Sequence, residues 1–269
     1  MNWKRIFSGL ILSIIATLVF VFANVYVMDV VVTFFAILSI HEYMKCFKVS
    51  KKAKPIAWVS YTSCLLLPFL HIIPSEYLIY AIALMIPSII FILFLHIIIS
   101  NLKTTVKDVA VTLFGIAYVV VFFAFVSQIF GMNNGRVYIW YTALAAWGTD
   151  VFAYSIGRRF GKHKFSQISP NKSIEGCVAG LIGAVILALL YTLLLNNVFN
   201  YTINYIIIAI VSVVLSAISQ VGDFSASSIK RYTGVKDFGN LIPGHGGILD
   251  RFDSFMFIAP FAFFLLMLI

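Results

Sequence analysis

Residues 222–253 read GDFSASSIKRYTGVKDFGNLIPGHGGILDRFD, and they are the densest polar block in a chain that is 62% hydrophobic and 11% charged. One apolar run ends where this block begins and another starts where it ends, so the block connects two hydrophobic helices. It contains four aspartates, four basic residues, a histidine and a glycine cluster. The packing of an apolar bundle does not require that mixture, so we expect this block to carry the chemistry of the protein.

The aspartates of this block are spaced as ligands of a divalent cation. Asp250 and Asp253 are three residues apart, so both lie on one face if Asp250 opens the helix that follows. Asp223 ends the preceding apolar run and is placed to face them. Carboxylate oxygens are hard ligands that favour magnesium. We predict that Asp223, Asp250 and Asp253 hold one or two Mg²⁺ ions and act in catalysis.

The loop before Asp250 and the basic residues near it are suited to binding phosphate. The glycines of Pro243-Gly244-His245-Gly246-Gly247 let backbone N–H groups converge on an anion, and the next helix directs its positive end there. Lysine and arginine side chains supply further donors to phosphate oxygens. We assign catalytic roles to Lys230, Arg231 and His245, and binding of a nucleotide or of another phosphate-bearing substrate to Lys172, Ser173, Lys236, Gly246, Gly247 and Arg251.

Each of these features also has a plainer interpretation. A basic loop in a membrane protein is often only a determinant of topology. An aspartate that begins a helix is often only a cap, which accounts for Asp250 but less easily for Asp253. The combination of carboxylates, cations and glycines favours a metal-assisted phosphoryl or nucleotidyl transfer site over these readings.

Hydrophobic runs account for most of the chain. Nine of them, cut at polar residues, lie at 6–23, 26–44, 56–72, 77–99, 106–130, 138–156, 175–196, 202–222 and 253–269. Most reach the roughly 20 residues that a helix needs to cross a bilayer. The sequence therefore predicts an all-α, polytopic membrane helix bundle with about nine transmembrane helices, the first of them retained rather than cleaved. An alternative joins the first two runs into one tilted helix with a re-entrant piece.

The basic residues fall on one side of the membrane in this nine-helix topology. With the N-terminus cytoplasmic, eighteen of the nineteen Lys and Arg residues lie in cytoplasmic segments, and only Arg136 lies outside. The formal net charge of +9 is then explained by orientation and by anionic lipids rather than by nucleic acid. We predict a cytoplasmic (inner) membrane location with the active site on the cytoplasmic side. Residues 1–130 are the predicted scaffold, and residues 131–269 the predicted catalytic region.

Ionisable residues within or beside the apolar runs are costly unless they are paired or hydrated. Asp150, near the inner end of a run, either pairs with one of the arginines at 158 and 159 or contributes to the metal or nucleotide site. His71 is expected to be a structural hydrogen-bonding residue. Glu42 precedes a basic segment, and we interpret it as marking the membrane boundary.

Two motifs resemble those of the phosphatidate cytidylyltransferases, the CDP-diacylglycerol synthases. The first combines Ser227-x-Ile229-Lys230-Arg231, Lys236-Asp237, Pro243-x-His245-Gly246-Gly247 and Asp250-Arg251-x-Asp253. The second combines Asp150-x-x-Ala153-Tyr154-x-x-Gly157-Arg158-x-x-Gly161-Lys162 with Ser169-Pro170-x-Lys172-Ser173-x-Glu175-Gly176. This chain departs from the family pattern at Ala226, where many members carry a glutamate, and at Ile174, where an aromatic residue is common.

The resemblance implies transfer of cytidylyl from CTP to phosphatidic acid in the membrane, giving CDP-diacylglycerol and pyrophosphate. It also implies a homodimer, and it is compatible with a monovalent cation at the site. A magnesium-dependent CDP-alcohol phosphatidyltransferase is a rival class, but its Asp-Gly, Ala-Arg and Gly-Asp-Asp pattern is absent from this sequence. A transporter is a second rival, although transporters place ionisable groups near the bilayer midplane, whereas this chain gathers them at a membrane edge.

Overall fold

The computed structural model describes residues 3–166, 168–170, 172–242, 244 and 246–269. These residues form ten α-helices and contain no β-strand. The helices are α1 (Trp3–Phe22), α2 (Val25–Val49), α3 (Ala57–Cys64), α4 (Ser75–Ile99), α5 (Val106–Gly115), α6 (Phe122–Phe130), α7 (Gly135–Phe160), α8 (Ile174–Val198), α9 (Tyr205–Thr233) and α10 (Leu249–Leu266). The all-α fold that the apolar runs predicted is confirmed.

Two helical segments depart from regular α-helix. A short 3₁₀ turn at Leu67–Phe69, which contains Pro68, follows α3. A π-helical turn at Ile116–Val121 joins α5 to α6 without a break. The segment Val106–Phe130 is therefore one continuous helix of 25 residues, long enough to cross a bilayer.

Five helical segments within the described residues are long and apolar enough to cross a membrane. They are Val25–Val49, Glu76–Ile99, Val106–Phe130, Ile174–Val198 and Tyr205–Thr233. Shorter apolar helices cover Gly9–Phe22 and Ala57–Phe69. These segments are those of a multi-pass membrane protein, and each of the nine predicted runs overlaps a helix. The count of nine transmembrane helices and the cytoplasmic N-terminus stay predictions.

Several helices begin at side chains that accept backbone hydrogen bonds, as expected where N–H groups lack a partner in the helix. Asn24 accepts a backbone N–H at 2.8 Å at the start of α2. Thr105 and Asp108 form a reciprocal capping box at the start of α5. Ser173 accepts the N–H of Gly176 at 3.1 Å and caps α8. The helix start that the sequence predicted at Ser173 is confirmed.

The chain forms two compact units. The first runs to Gly131 and also takes up Tyr232–Arg251. The second contains Met132–Arg231 together with Phe252–Ile269. The boundary between them falls within α9 and again within α10. A division by packing does not show which part of the chain acts in catalysis. The scaffold role of residues 1–130 and the catalytic role of residues 131–269 therefore stay predictions.

In the first unit, α2 carries a buried aspartate that has two polar partners. Asp29 is fully buried, and its carboxylate accepts a hydrogen bond from Ser127 Oγ on α6. His71 Nδ1 lies 3.0 Å from both carboxylate oxygens of Asp29. Because a buried carboxylate is stable only when donors surround it, this cluster ties the start of α2 to α6 and to the turn at His71. His71 has the structural role that the sequence predicted.

In the second unit, α7 and α8 pack closely along a row of small residues on α8. A Cβ built on Gly180 would lie 3.0 Å from the backbone oxygen and from Cγ2 of Thr149 on α7. A Cβ on Gly176 would lie 2.8 Å from the backbone oxygen of Ala153. Helices in membranes associate through such small residues because they let two backbones approach.

This packing predicts that Gly180→Leu will destabilise the second unit. The leucine cannot fit without separating α7 from α8, so we expect a loss of about 2 kcal/mol or more in the free energy of unfolding. Val178→Leu is the matched control, because Val178 is 49% exposed on the same helix. Thermal unfolding of both variants in detergent would measure the difference, and equal transition temperatures would contradict this packing.

Candidate functional site

The two aspartates at the end of the polar block lie in one helix. α10 begins at Leu249, Asp250 lies in its first turn, and Asp253 follows three residues later. The predicted placement of both residues in a helix that opens near Asp250 is therefore confirmed. Both side chains are buried, at 7% and 6% exposed.

Asp250 holds the loop that precedes α10 in the first unit. Its Oδ2 accepts the backbone N–H of Phe238 at 2.8 Å and that of Gly247 at 3.0 Å. These donors come from separate parts of the connection between α9 and α10, residues 234–248, so one carboxylate oxygen holds the two parts together. Gly246 has φ +84, which favours glycine at this position, and its backbone oxygen accepts the N–H of Ile242 at 2.9 Å.

Glu42 on α2 binds the start of α10 in the same unit. Its Oε1 accepts the N–H of Ile248 at 3.1 Å, and its Oε2 accepts the N–H of Leu249 at 2.9 Å. Glu42 is buried, at 6% exposed. Its position before a basic segment had indicated only the membrane boundary. The one available signal was a carboxylate inside an apolar run, which requires a partner.

Three consecutive N–H groups at the start of α10, those of residues 247, 248 and 249, are therefore occupied by carboxylates of the protein itself. Gly247 donates to Asp250, and the next two residues donate to Glu42. A helix N-terminus attracts any anion, and here the anion is a side chain. The predicted contacts of Gly246 and Gly247 with a nucleotide stay predictions.

A cavity of about 300 Å³ lies beside this loop in the first unit. Its wall offers an ammonium from Lys45, a carboxylate from Asp237 and an amide from Asn240, next to apolar groups. The lining residues are Lys45, Cys46, Val49, Val235, Asp237, Phe238, Gly239 and Asn240. Lys236 and Arg251, two predicted phosphate ligands, are exposed to solvent in this unit.

In the second unit, two residues predicted separately are partners. Lys172 Nζ forms an ion pair with Asp223 Oδ2. The same ammonium lies 4.6 Å from the ring centroid of Phe224, and Phe165 stacks on that ring at 5.0 Å. The cation–π contact and the ion pair both orient Lys172. A predicted phosphate ligand thus neutralises a predicted metal ligand in this structure.

Asp253 lies in an electrostatic cluster with other charged residues of the second unit. Its carboxylate is repelled by Asp223 and by Asp150, and it is attracted by Lys230. The N–H of Ser254 donates to its Oδ1 at 2.7 Å. Asp150 therefore acts electrostatically on Asp253, and its predicted contribution to the site stays a prediction. Three carboxylates near one another are most stable when cations compensate them.

The segment between α7 and α8 brings further polar groups to this unit. Ser173 caps α8, and His163 Nδ1 lies 2.7 Å from Glu175 Oε1. Arg231 Nε donates to the backbone oxygen of Ile168 at 3.3 Å, which fixes the end of α9 to this segment. The predicted role of Arg231 in catalysis stays a prediction. His245, the predicted catalytic histidine, lies outside the described residues.

The carboxylates fit a hard divalent cation by chemistry, but no metal site is preformed among the described residues. No group of three or more His, Cys, Asp or Glu side chains in that part of the chain is arranged as ligands of one ion. Asp253 and the two carboxylates that repel it, those of Asp150 and Asp223, are nevertheless oxygen donors of the type that magnesium prefers. The predicted magnesium site stays a prediction.

Comparison with known proteins identifies the class of protein to which these motifs belong. The profile of the Cytidylyltransferase family matches residues 3–269, which is nearly the whole chain. The chain therefore belongs to the cytidylyltransferase family, and the family predicted from the two motifs is confirmed. Membership in this family does not fit the two rival classes, a CDP-alcohol phosphatidyltransferase and a transporter.

Particular relatives carry a more specific name. The chain is similar to proteins named phosphatidate cytidylyltransferase from Staphylococcus saprophyticus and Staphylococcus haemolyticus, each 37% identical over 171 residues. Those matches cover 63% of this chain and 64% of each relative. A protein of the same name from Bacillus subtilis is 39% identical over 135 residues, 50% of this chain and 49% of that relative. The matched part is thus less than two-thirds of these relatives' length.

The departure from the family pattern at Ala226 yields a prediction about metal binding. Ala226 is fully buried in the second unit, so Ala226→Glu places a carboxylate where water does not reach. Without divalent cations, we expect the transition temperature to fall by about 5 °C or more, because the charge is desolvated. If the new carboxylate reaches the cation, Mg²⁺ will restore part of that loss.

Ala226→Gln is the matched control for this experiment, because it adds the same volume without charge. Its stability should not depend on Mg²⁺. Thermal unfolding in detergent, with and without Mg²⁺, would compare the two variants. An equal response of both to Mg²⁺ would place the cation away from residue 226.

Proposed function

We propose that this protein transfers the cytidylyl group of CTP to phosphatidic acid. A phosphate oxygen of phosphatidic acid attacks the α-phosphorus of CTP, the bond from that phosphorus to the bridging oxygen of the β-phosphate breaks, and pyrophosphate leaves. The products are CDP-diacylglycerol and pyrophosphate. The observation that carries this proposal is the cytidylyltransferase match across residues 3–269, which includes both polar motifs. The names of the staphylococcal and Bacillus relatives support the same substrates.

The lipid acceptor accounts for the combination of apolar helices and polar helix ends. Its acyl chains lie in the bilayer and its phosphate lies at the surface, while CTP arrives from water. α9 is apolar over most of its length but carries Asp223, Lys230 and Arg231 near its C-terminal end. The distribution of Lys and Arg supports a cytoplasmic position for that end, in the inner membrane.

The acceptor phosphate is already an anion, so the reaction needs charge compensation more than a general base. We assign that role to Lys172, Lys230 and Arg231 of the second unit, which donate to phosphate oxygens. Lys172 is held by Asp223 and by the ring of Phe224, so its ammonium is oriented before a substrate arrives. Orientation before binding lowers the barrier to transfer.

Magnesium is the cation that we propose for this site, with Asp223 and Asp253 as ligands and Asp150 nearby. When bound, it would neutralise triphosphate oxygens and the developing charge on pyrophosphate. Asp250 remains the third ligand by prediction from the sequence. A monovalent cation and a homodimer are further proposals that rest on the family alone.

The central test is an assay of the purified protein in detergent with Mg²⁺, CTP and phosphatidic acid. We expect pyrophosphate and CDP-diacylglycerol to form in equal amounts, and we expect EDTA to stop the reaction. ATP, GTP and UTP in place of CTP, and diacylglycerol in place of phosphatidic acid, should give no product. The absence of product with CTP, in protein shown to be folded, would refute the proposal.

A substitution tests the role of Asp250. Asp250→Asn removes the charge but keeps an oxygen that can accept the N–H groups of Phe238 and Gly247. We expect turnover to fall about 100-fold or more while the fold is retained. Glu76→Gln is the control, because Glu76 is an exposed carboxylate at the start of α4. Normal turnover in Asp250→Asn, measured by pyrophosphate release, would remove Asp250 from the mechanism.

A further inference from the structure

We propose that Glu42 is a positioning residue, whose carboxylate clamps the N-terminus of α10 and thereby holds Asp250 and the loop before it in place. The clamp itself is a feature of the first unit and does not depend on the reaction. Its effect on turnover rests on the proposed function.

The geometry is that of a two-point attachment. Each oxygen of the Glu42 carboxylate accepts one backbone N–H, from Ile248 at 3.1 Å and from Leu249 at 2.9 Å. Both N–H groups belong to the start of a helix, where no partner within the helix is available. The helix dipole adds to the attraction, because its positive end meets a negative charge. Two bonds to consecutive residues fix the direction of the helix as well as its position.

The loop is shaped to admit this carboxylate. A Cβ on Gly239 or on Gly247 would overlap the carboxylate of Glu42. Both positions are therefore restricted to glycine as long as Glu42 lies between them. The loop thus wraps around the side chain of a residue that is 206 positions away in the sequence from Ile248.

Glu42 and Asp250 each accept two backbone N–H groups in or beside the loop. Asp250 accepts from Phe238 and Gly247, whereas Glu42 accepts from the two residues that follow. The two carboxylates repel each other, and Lys45, three residues after Glu42, attracts the Glu42 carboxylate. Loss of Glu42 leaves two buried donors without their acceptor and releases the helix start from which Asp250 projects. Asp250 would then lose its fixed position.

Hydrogen–deuterium exchange in detergent, read by mass spectrometry, tests the clamp without any substrate. In Glu42→Ala we expect the amides of Ile248 and Leu249 to exchange about ten-fold faster or more, because their acceptor is gone. Glu42→Gln keeps one accepting oxygen, so we expect an intermediate rate. Asp29→Asn is the matched control, because Asp29 is the other buried carboxylate of α2 and its partners in the described part of the chain, Ser127 and His71, lie outside this loop. It should leave exchange at 248–249 unchanged.

Kinetics then test positioning as opposed to general stability. For Glu42→Gln we expect kcat to fall about ten-fold with little change in KM for CTP, because the substrate still binds while Asp250 is displaced. Asp29→Asn should alter the transition temperature without changing the ratio of kcat to KM. Glu42→Gln also serves as the folded variant if Glu42→Ala does not fold.

The possible outcomes separate the clamp from the reaction. Unchanged exchange at Ile248 and Leu249 in both Glu42 variants would overturn the clamp. Faster exchange with a normal kcat would overturn the positioning role. If the wild-type protein transfers no cytidylyl while exchange changes as expected, the proposed function fails and the clamp stands.

Discussion

The structure depends above all on the hydrogen bonds that buried carboxylates accept. A charge buried among apolar helices is costly unless hydrogen bonds or opposite charges surround it. Four buried acids of the first unit meet this condition with at least two donors each: Asp29, Glu42, Asp108 and Asp250. Each joins segments that are distant in sequence or closes a loop. Hydrophobic sequence determines where the helices form. The hydrogen bonds of these acids then determine which polar segment contacts which helix.

The helices were predictable because hydrophobic runs of about 20 residues leave few alternatives in a bilayer. The cap at Ser173 followed from a serine placed before Glu175 and an apolar run. The short α3 and the π-helical turn were not predicted, because hydropathy does not report the register of backbone hydrogen bonds. The same limitation applies to the number of spans, since length and hydropathy alone identify five membrane-crossing segments within the described residues.

The sequence predicted those residues of the candidate site that lie close together in the chain. It did not predict contacts between residues that are far apart in the chain. Asp223, Asp250 and Asp253 stood out in the sequence because carboxylates and cations cluster around them. The ion pair between Lys172 and Asp223 joins the two sequence motifs. The number of residues between the motifs does not predict that contact. Glu42 was missed because its partners are backbone N–H groups, which carry no signature in a sequence. Family membership identifies the chemistry, whereas only the structure shows which polar groups are already bound to other groups of the protein.

The π-helical turn at Ile116–Val121 changes the direction in which the side chains after it point. One surplus residue in a helical repeat rotates everything after it by about 100°. Before the turn, Asp108 accepts the N–H of Lys54, and after it Ser127 donates to Asp29. A regular α-helix over the same length would aim one of these side chains away from its partner. The π-helical turn therefore rotates the second half of the helix relative to the first, so that side chains at both ends of one continuous helix reach their polar partners.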